Sequence, residues 1–198
     1  MSKLDISVIM VVLLTASLFA QQSDSYIRAK EMLMSDNVEG KQETEEVPVE
    51  FRDQLHDALS IYFELKDALV VADKNKATEN ANALKIALEG IDSDFLDETE
   101  ESIWNKGLLN LLNSLESFAS KAEIEDQRKS FLKISESLIA IVKKYGPFDV
   151  PVYVQHCPMA FNNSGGDWLS NSEKILNPYF GSMMLHCGRV IEKIEDKQ

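Results

Sequence analysis

Polar and apolar positions along this chain fall into four blocks of helical period, followed by a stretch that has none. Phe51, Leu55, Ala58, Tyr62, Leu65, Leu69 and Ala72 recur at spacings that alternate between four and three. That places seven apolar side chains on one face of a helix about six turns long. Asp53, Asp57, Glu64 and Asp67 fall elsewhere and face water. Asp73 and Asn75 supply turn chemistry, and a second, shorter stripe follows at Ala77, Ala81, Leu84, Leu88 and Ile91. Gly90 and the run Asp92-Ser93-Asp94 break it. Asp97, Glu98, Glu100 and Glu101 then open a third helix, where the helix dipole favours negative charge. Its stripe is Trp104, Leu108, Leu111, Leu115, Phe118 and Ala122. The fourth carries Gln127, Phe131, Ile134, Leu138, Ile141 and Tyr145, and Gly146-Pro147 ends it. Four amphipathic helices with short connections predict an all-α protein, an antiparallel four-helix bundle over residues 51–146.

Residues 147–194 make a C-terminal extension of another kind. Val150, Val152, Tyr153 and Val154 favour an extended segment, with Pro151 confining it to an edge or a strand start. Asn162-Asn163-Ser164-Gly165-Gly166 reads as a turn. Asp167 or Ser170-Asn171-Ser172 would cap a short helix near Glu173 to Leu176, which Asn177-Pro178 ends. The tail from Gly188 to Ile194 either returns as a strand beside Val152 to Gln155, completing a short β-hairpin arrangement, or continues as helix. The pattern leaves both open. Phe161, Trp168, Tyr179 and Phe180 are large for a loop-rich region without a core of its own, and packing the extension onto the helices is their expected role.

The N-terminus changes the setting. Lys3 precedes an apolar run from Ile6 to Leu14, and the segment shortens to small residues at Ala20-Gln21. The run is too short to span a bilayer, which takes ~20 apolar residues, and residues 1–20 read as a secretory signal peptide, leaving no transmembrane segment after cleavage. Residues 21–50 are polar, acidic and aperiodic, a flexible linker. Export implies a periplasmic, oxidising compartment. A net charge of −13 argues against nucleic acid, whose binding rests on Lys and Arg neutralising phosphates, and against a polybasic membrane surface.

Candidate chemistry concentrates in the extension, which holds both cysteines, two of the three histidines and three of the seven methionines. They fall in two clusters, His156-Cys157-Pro158-Met159 and Met183-Met184-Leu185-His186-Cys187. Thiolate, thioether and imidazole together select soft ions, above all Cu(I), then Zn(II). Zinc would take four donors, for example Cys157, Cys187, His156 and His186, although neither cluster has a zinc-finger spacing. The competing reading is a Cys157–Cys187 disulfide, closing a loop worth ~3 kcal/mol. In the helices there is no inward Glu-x-x-His, and His56 lies beside its stripe as a partly exposed helix residue, so the helices are scaffold. No nucleophile–base motif, phosphate-binding glycine loop or carboxylate pair marks an enzyme.

The runs VYVQHCPMAFNNSGGDWLS (152–170) and NPYFGSMMLHCG (177–188), with YFELKDALVVAD (62–73), resemble a bacterial domain-of-unknown-function family, number 3347. The resemblance extends over about residues 51–194. It implies a periplasmic helical module, found alone or attached to adaptor (membrane-fusion) subunits of CusB-type heavy-metal efflux systems. It also implies copper, silver or a related ion, with Cys157, Met159, Met184 and Cys187 as donors and His156 and His186 as secondary ones. The adaptor's own hairpin and barrel regions have no counterpart here. The expectation is an exported, non-enzymatic copper-type binding protein that passes its ion to an efflux adaptor. The alternative is a protein-interaction module pinned by a disulfide, with no metal role.

Overall fold

A computed structural model describes residues 47–146 and 148–195. The expected signal peptide and nearly all of the expected linker lie outside these residues. Four long helices, α1 (Val49–Val70), α2 (Lys74–Glu89), α3 (Glu98–Ala119) and α4 (Ile124–Tyr145), precede three strands, β1 (Val152–Cys157), β2 (Gly166–Ser170) and β3 (Arg189–Ile194). Helix α1 takes in Val49 and Glu50, which the sequence had assigned to the linker. The protein is mostly helical with a small antiparallel sheet at its C-terminal end.

Two of the four long helices, α2 and α3, start on an aspartate cap. The Asp73 carboxylate accepts from the Lys76 amide at 2.9 Å, and Asp97 accepts from Thr99 at 2.7 Å and Glu100 at 2.9 Å. Each bond satisfies an N–H that the first helical turn leaves unpaired. Helix α1 ends differently from its stripe. Ala72 adopts a left-handed conformation (φ 58°), and the Asp73 amide reaches back to the Ala68 carbonyl at 2.9 Å, a Schellman-type stop. Ala72 is therefore past the helix and exposed, and so is Ala122, in the turn before α4. Leu108 is half-buried, and the remaining stripe residues are buried.

Helices α1 and α4 bury more than one stripe. Leu59, Phe63 and Lys66 on α1 and Arg128, Ser135 and Val142 on α4 are buried as well. The sheet packs on this side, with β2 lying against α4, so the loop-rich extension expected from the sequence shares a core with the helices. Val152, Val154, Cys157, Trp168 and Leu169 belong to the same apolar cluster as Tyr62, Phe131 and Leu138. The sheet order is β2-β1-β3, all antiparallel. The tail thus returns as a strand. Pro151 stands just before β1, where its missing N–H costs no ladder bond, so β1 becomes the central strand rather than an edge. No helix forms at Glu173 to Leu176. Asp167 lies inside β2 instead of capping a helix, and the Ser170 and Ser172 hydroxyls bond local backbone amides and carbonyls in a tight bend.

Three anchors, two polar and one aromatic, weld sheet and loops to the helices. The Tyr62 hydroxyl shares a 2.8 Å hydrogen bond with Ser135 of α4 and accepts the Leu169 amide of β2 at 3.1 Å. Burial pushes the Tyr62 phenol far above its ordinary value, so it stays neutral. The buried Arg128 guanidinium donates to the Leu69 carbonyl at the end of α1 and to Glu125, each at 2.9 Å, a cation at the negative end of a helix dipole. Gly181 (φ 55°) packs on that guanidinium so closely that a Cβ there would come within 2.3 Å of an Arg128 nitrogen. The third anchor is aromatic: Tyr179 packs against Phe131, Phe161 and Trp168 with ring centroids 5.0–6.0 Å apart, the role expected of these residues.

Replacing Tyr62 by Phe strands the Leu169 amide and should lower stability by about 1–3 kcal/mol. Ser135→Ala, which leaves that amide bonded, should cost less. Urea unfolding of the two variants measures the difference, and equal losses would show that the strand amide is not the critical partner.

Candidate functional site

The site is assembled by the end of one strand and the start of another. Cys157 closes the central strand β1, opposite Gly166 of β2, and Cys187 stands two residues before β3, which pairs with β1 from Val152↔Ile194 to His156↔Arg189. Gly188 makes this approach feasible. Its φ is 141°, and a Cβ there would lie 2.8 Å from the His156 carbonyl and 3.1 Å from the Trp168 ring, so a side chain would force the entering chain away from β1. With Gly188 in place, the Cys157 and Cys187 sulfurs are 3.3 Å apart, both as free thiols. That is thiol–thiol contact rather than a bond, which would need ~2.05 Å. Two thiolates held ~2.3 Å from one ion stand ~3.8 Å apart at a tetrahedral angle. The observed separation lies between the two states.

The loop from Asn177 to Cys187 is held from inside by Asn177. Its side-chain amide donates to the Cys187 carbonyl at 2.8 Å, and its carbonyl oxygen accepts from the Tyr179 amide at 2.8 Å and the Phe180 amide at 3.2 Å. Its backbone N–H donates to the Leu185 carbonyl at 2.9 Å. Asn177 is fully buried. The sequence marked it only as a helix stop before Pro178, and the signal that was there, an Asn able to close a local turn on itself, says nothing of the cysteine it positions.

Met159 and Met184 come to the pair through their backbones. The Met159 amide donates to the Cys187 sulfur, and the Met184 carbonyl accepts the Cys187 amide at 3.0 Å. Their side chains are exposed, as is that of Met183. The two imidazoles are engaged elsewhere. His156 follows the strand alternation to the face opposite Cys157, and its Nδ1 meets the Asp167 carboxylate at 2.5 Å across the β1–β2 pair. Its other edge faces Gly165 (φ 82°), where a Cβ would come 2.7 Å from the ring. His186 Nδ1 donates to the Ile175 carbonyl at 2.9 Å. Among the described residues no group of three or more His, Cys, Asp and Glu side chains is placed to hold an ion, so the zinc tetrad Cys157, Cys187, His156 and His186 is not assembled. Of the expected donors, the structure brings together the Cys157 and Cys187 sulfurs. His56 stacks on Phe148 and is half-buried.

Electrostatics distinguish the Cys187 sulfur from an ordinary surface thiol. The hydrogen-bonded Cys157 thiol pushes Cys187 above its usual value, and desolvation adds to this, while the Met159 amide pulls the other way. An open cavity of about 500 Å³ is lined by Arg128, Lys129, Met159, Phe161, Tyr179 and Met183 among others, and by neither cysteine. Its wall includes the left-handed run Phe161, Asn162, Asn163 (φ 52°, 58°, 67°). This is the turn expected at Asn162 to Gly166, wound more tightly than those residue types required.

Residues 58–149 match the model of a family described as a protein of unknown function, DUF3347. Just under half of the chain is thus similar to that family. The match takes in most of α1 and all of α2, α3 and α4 and ends at Asp149, ahead of the strand that carries Cys157, so the DUF3347 match leaves out the sulfur-bearing extension. No curated protein matches the chain. No solved structure does either. Among the described residues no helix is long and apolar enough to cross a membrane.

The raised Cys187 value has a sign that alkylation kinetics will read. The thiolate is the reactive form, so Cys187 should react with iodoacetamide more slowly near neutral pH than a free thiol, with a rate still rising above pH ~8.5. Cys157→Ala removes the first cause and should move the profile to lower pH. A Cys187 profile identical in the two proteins would contradict the coupling.

Proposed function

We propose that this chain is an exported, non-enzymatic protein that binds copper or a similar soft ion and passes it to a heavy-metal efflux adaptor. The observation that carries the reading is the 3.3 Å apposition of Cys157 and Cys187 at one end of the sheet, with the backbones of two methionines bonded to Cys187. Thiolate and thioether are the donors Cu(I) prefers, and two or three of them satisfy it, whereas a closed zinc site wants four. The scaffold, in this reading an antiparallel four-helix bundle, offers no ligand but keeps one face of the sheet dry. The pair stands at the sheet's end with half-exposed methionines around it, so an arriving ion meets sulfur without opening the core. Support for export is the N-terminal pattern of a charged start, an apolar run and small residues. Support for an efflux partner is the resemblance to modules found on such adaptors.

A second reading rests on the same contact: oxidised in an exporting compartment, the pair becomes a disulfide that pins β3 to β1 in an interaction module without metal.

Anaerobic titration of the reduced chain with Cu(I) against a competing chelator separates them. One ion per chain should bind. Cys157→Ser and Cys187→Ser should each abolish binding, Met159→Leu or Met184→Leu should weaken it by about tenfold, equivalent to ~1.4 kcal/mol, and His186→Ala should leave it unchanged. No uptake by the fully reduced protein would leave the disulfide reading standing alone.

A further inference from the structure

We infer that Cys187 and Cys157 are a directional thiol–disulfide exchange pair, in which Cys187 attacks a small external disulfide and Cys157 resolves the adduct. Three observations carry this, none of which involves a metal. The sulfurs already touch at 3.3 Å, so bond formation at ~2.05 Å asks for a movement of about 1.2 Å. Access is unequal: Cys157 is 0% exposed at the buried end of the central strand, while Cys187 is partly exposed on the incoming loop. An external disulfide therefore meets Cys187 first. The two ends are also held in register independently of the sulfurs, Cys157 by the β1 ladder and Cys187 by the Asn177 bond to its carbonyl. The resolving thiol is thus in place when the adduct forms.

The chemistry balances with a low-molecular-weight disulfide as oxidant. The Cys187 thiolate attacks one sulfur of the external disulfide, the external S–S bond breaks, and one external thiolate leaves with the bonding pair. The Cys157 thiolate then attacks the Cys187 sulfur, the mixed bond breaks, and the second external thiolate leaves. Two protein thiols have lost two protons and two electrons, and one external disulfide has become two thiols. No thiolate remains in the oxidised pair, so oxidation also switches off soft-metal capture. That last consequence alone rests on the metal-binding reading.

The test uses the full-length chain, reduced, freed of reductant under nitrogen, mixed with oxidised glutathione, quenched with iodoacetamide at intervals and weighed intact. Wild type should pass through a transient adduct to an unalkylated form lighter by the lost hydrogens. Cys157→Ser should stop at a lasting glutathione adduct on Cys187, and Cys187→Ser should form its adduct at least about tenfold more slowly. A lasting adduct on the wild type, or equal adduct rates in the two variants, would overturn the inference. A control that needs no variant is limiting iodoacetamide on the reduced wild type with peptide mapping: Cys187 should be labelled first, and labelling of Cys157 first or at the same rate counts against the assignment. Exchange without copper uptake would sink the metal reading only, and copper uptake without exchange would sink this one only.

Discussion

A phenol buried between two helices and a strand is the constraint on which the rest depends. The Tyr62 hydroxyl serves Ser135 on α4 and the Leu169 amide on β2, and an edge strand pressed against helices needs such a partner, because an unpaired amide in that core costs more than the bond itself returns. With β2 so fixed, β1 follows by pairing, and β3 follows β1. The Arg128 guanidinium and Gly181 do the same for the loop that delivers Cys187. The sulfurs therefore meet where a sheet docked on α4 and a loop held by Arg128 come together.

That docking surface explains what the sequence hid. The single-stripe pattern of each helix was legible, and nearly every residue assigned to it is buried. On α1 and α4 the additional contact surface includes Lys66, Arg128 and Ser135, residue types that look like solvent positions in any periodicity argument. Without that surface the extension shows no core of its own: β1 and the returning tail are legible as extended segments, whereas β2 and the three-stranded layer are not. The aromatic pegs were read correctly and the layer they belong to was not. The helix expected at Glu173 to Leu176 failed for a related reason. Ser170 and Ser172 are good caps in isolation, yet here they spend their hydroxyls on a bend that turns the chain away from β2.

The chemistry was legible as a set of donors but not as an arrangement. Neighbouring histidine and cysteine in HCPM look like joint ligands on paper. In a strand, neighbours point to opposite faces, so becoming β1 separates His156 from Cys157 and gives the imidazole to Asp167. Asn177 and Gly188 position Cys187 without adding a soft ligand atom of their own, and nothing in their spacing distinguishes them from ordinary turn residues.

The strand pairing around the cysteines also settles where the energy of an S–S bond would act. In the folded chain β1 and β3 already hold the ends of the 157–187 segment together, so a covalent bridge closes a circuit that hydrogen bonds have closed before it. Its leverage falls almost wholly on the unfolded chain, whose freedom it would curtail. The two redox forms would then be nearly superimposable to any partner that reads shape. Only one that reaches for the sulfurs themselves would tell them apart.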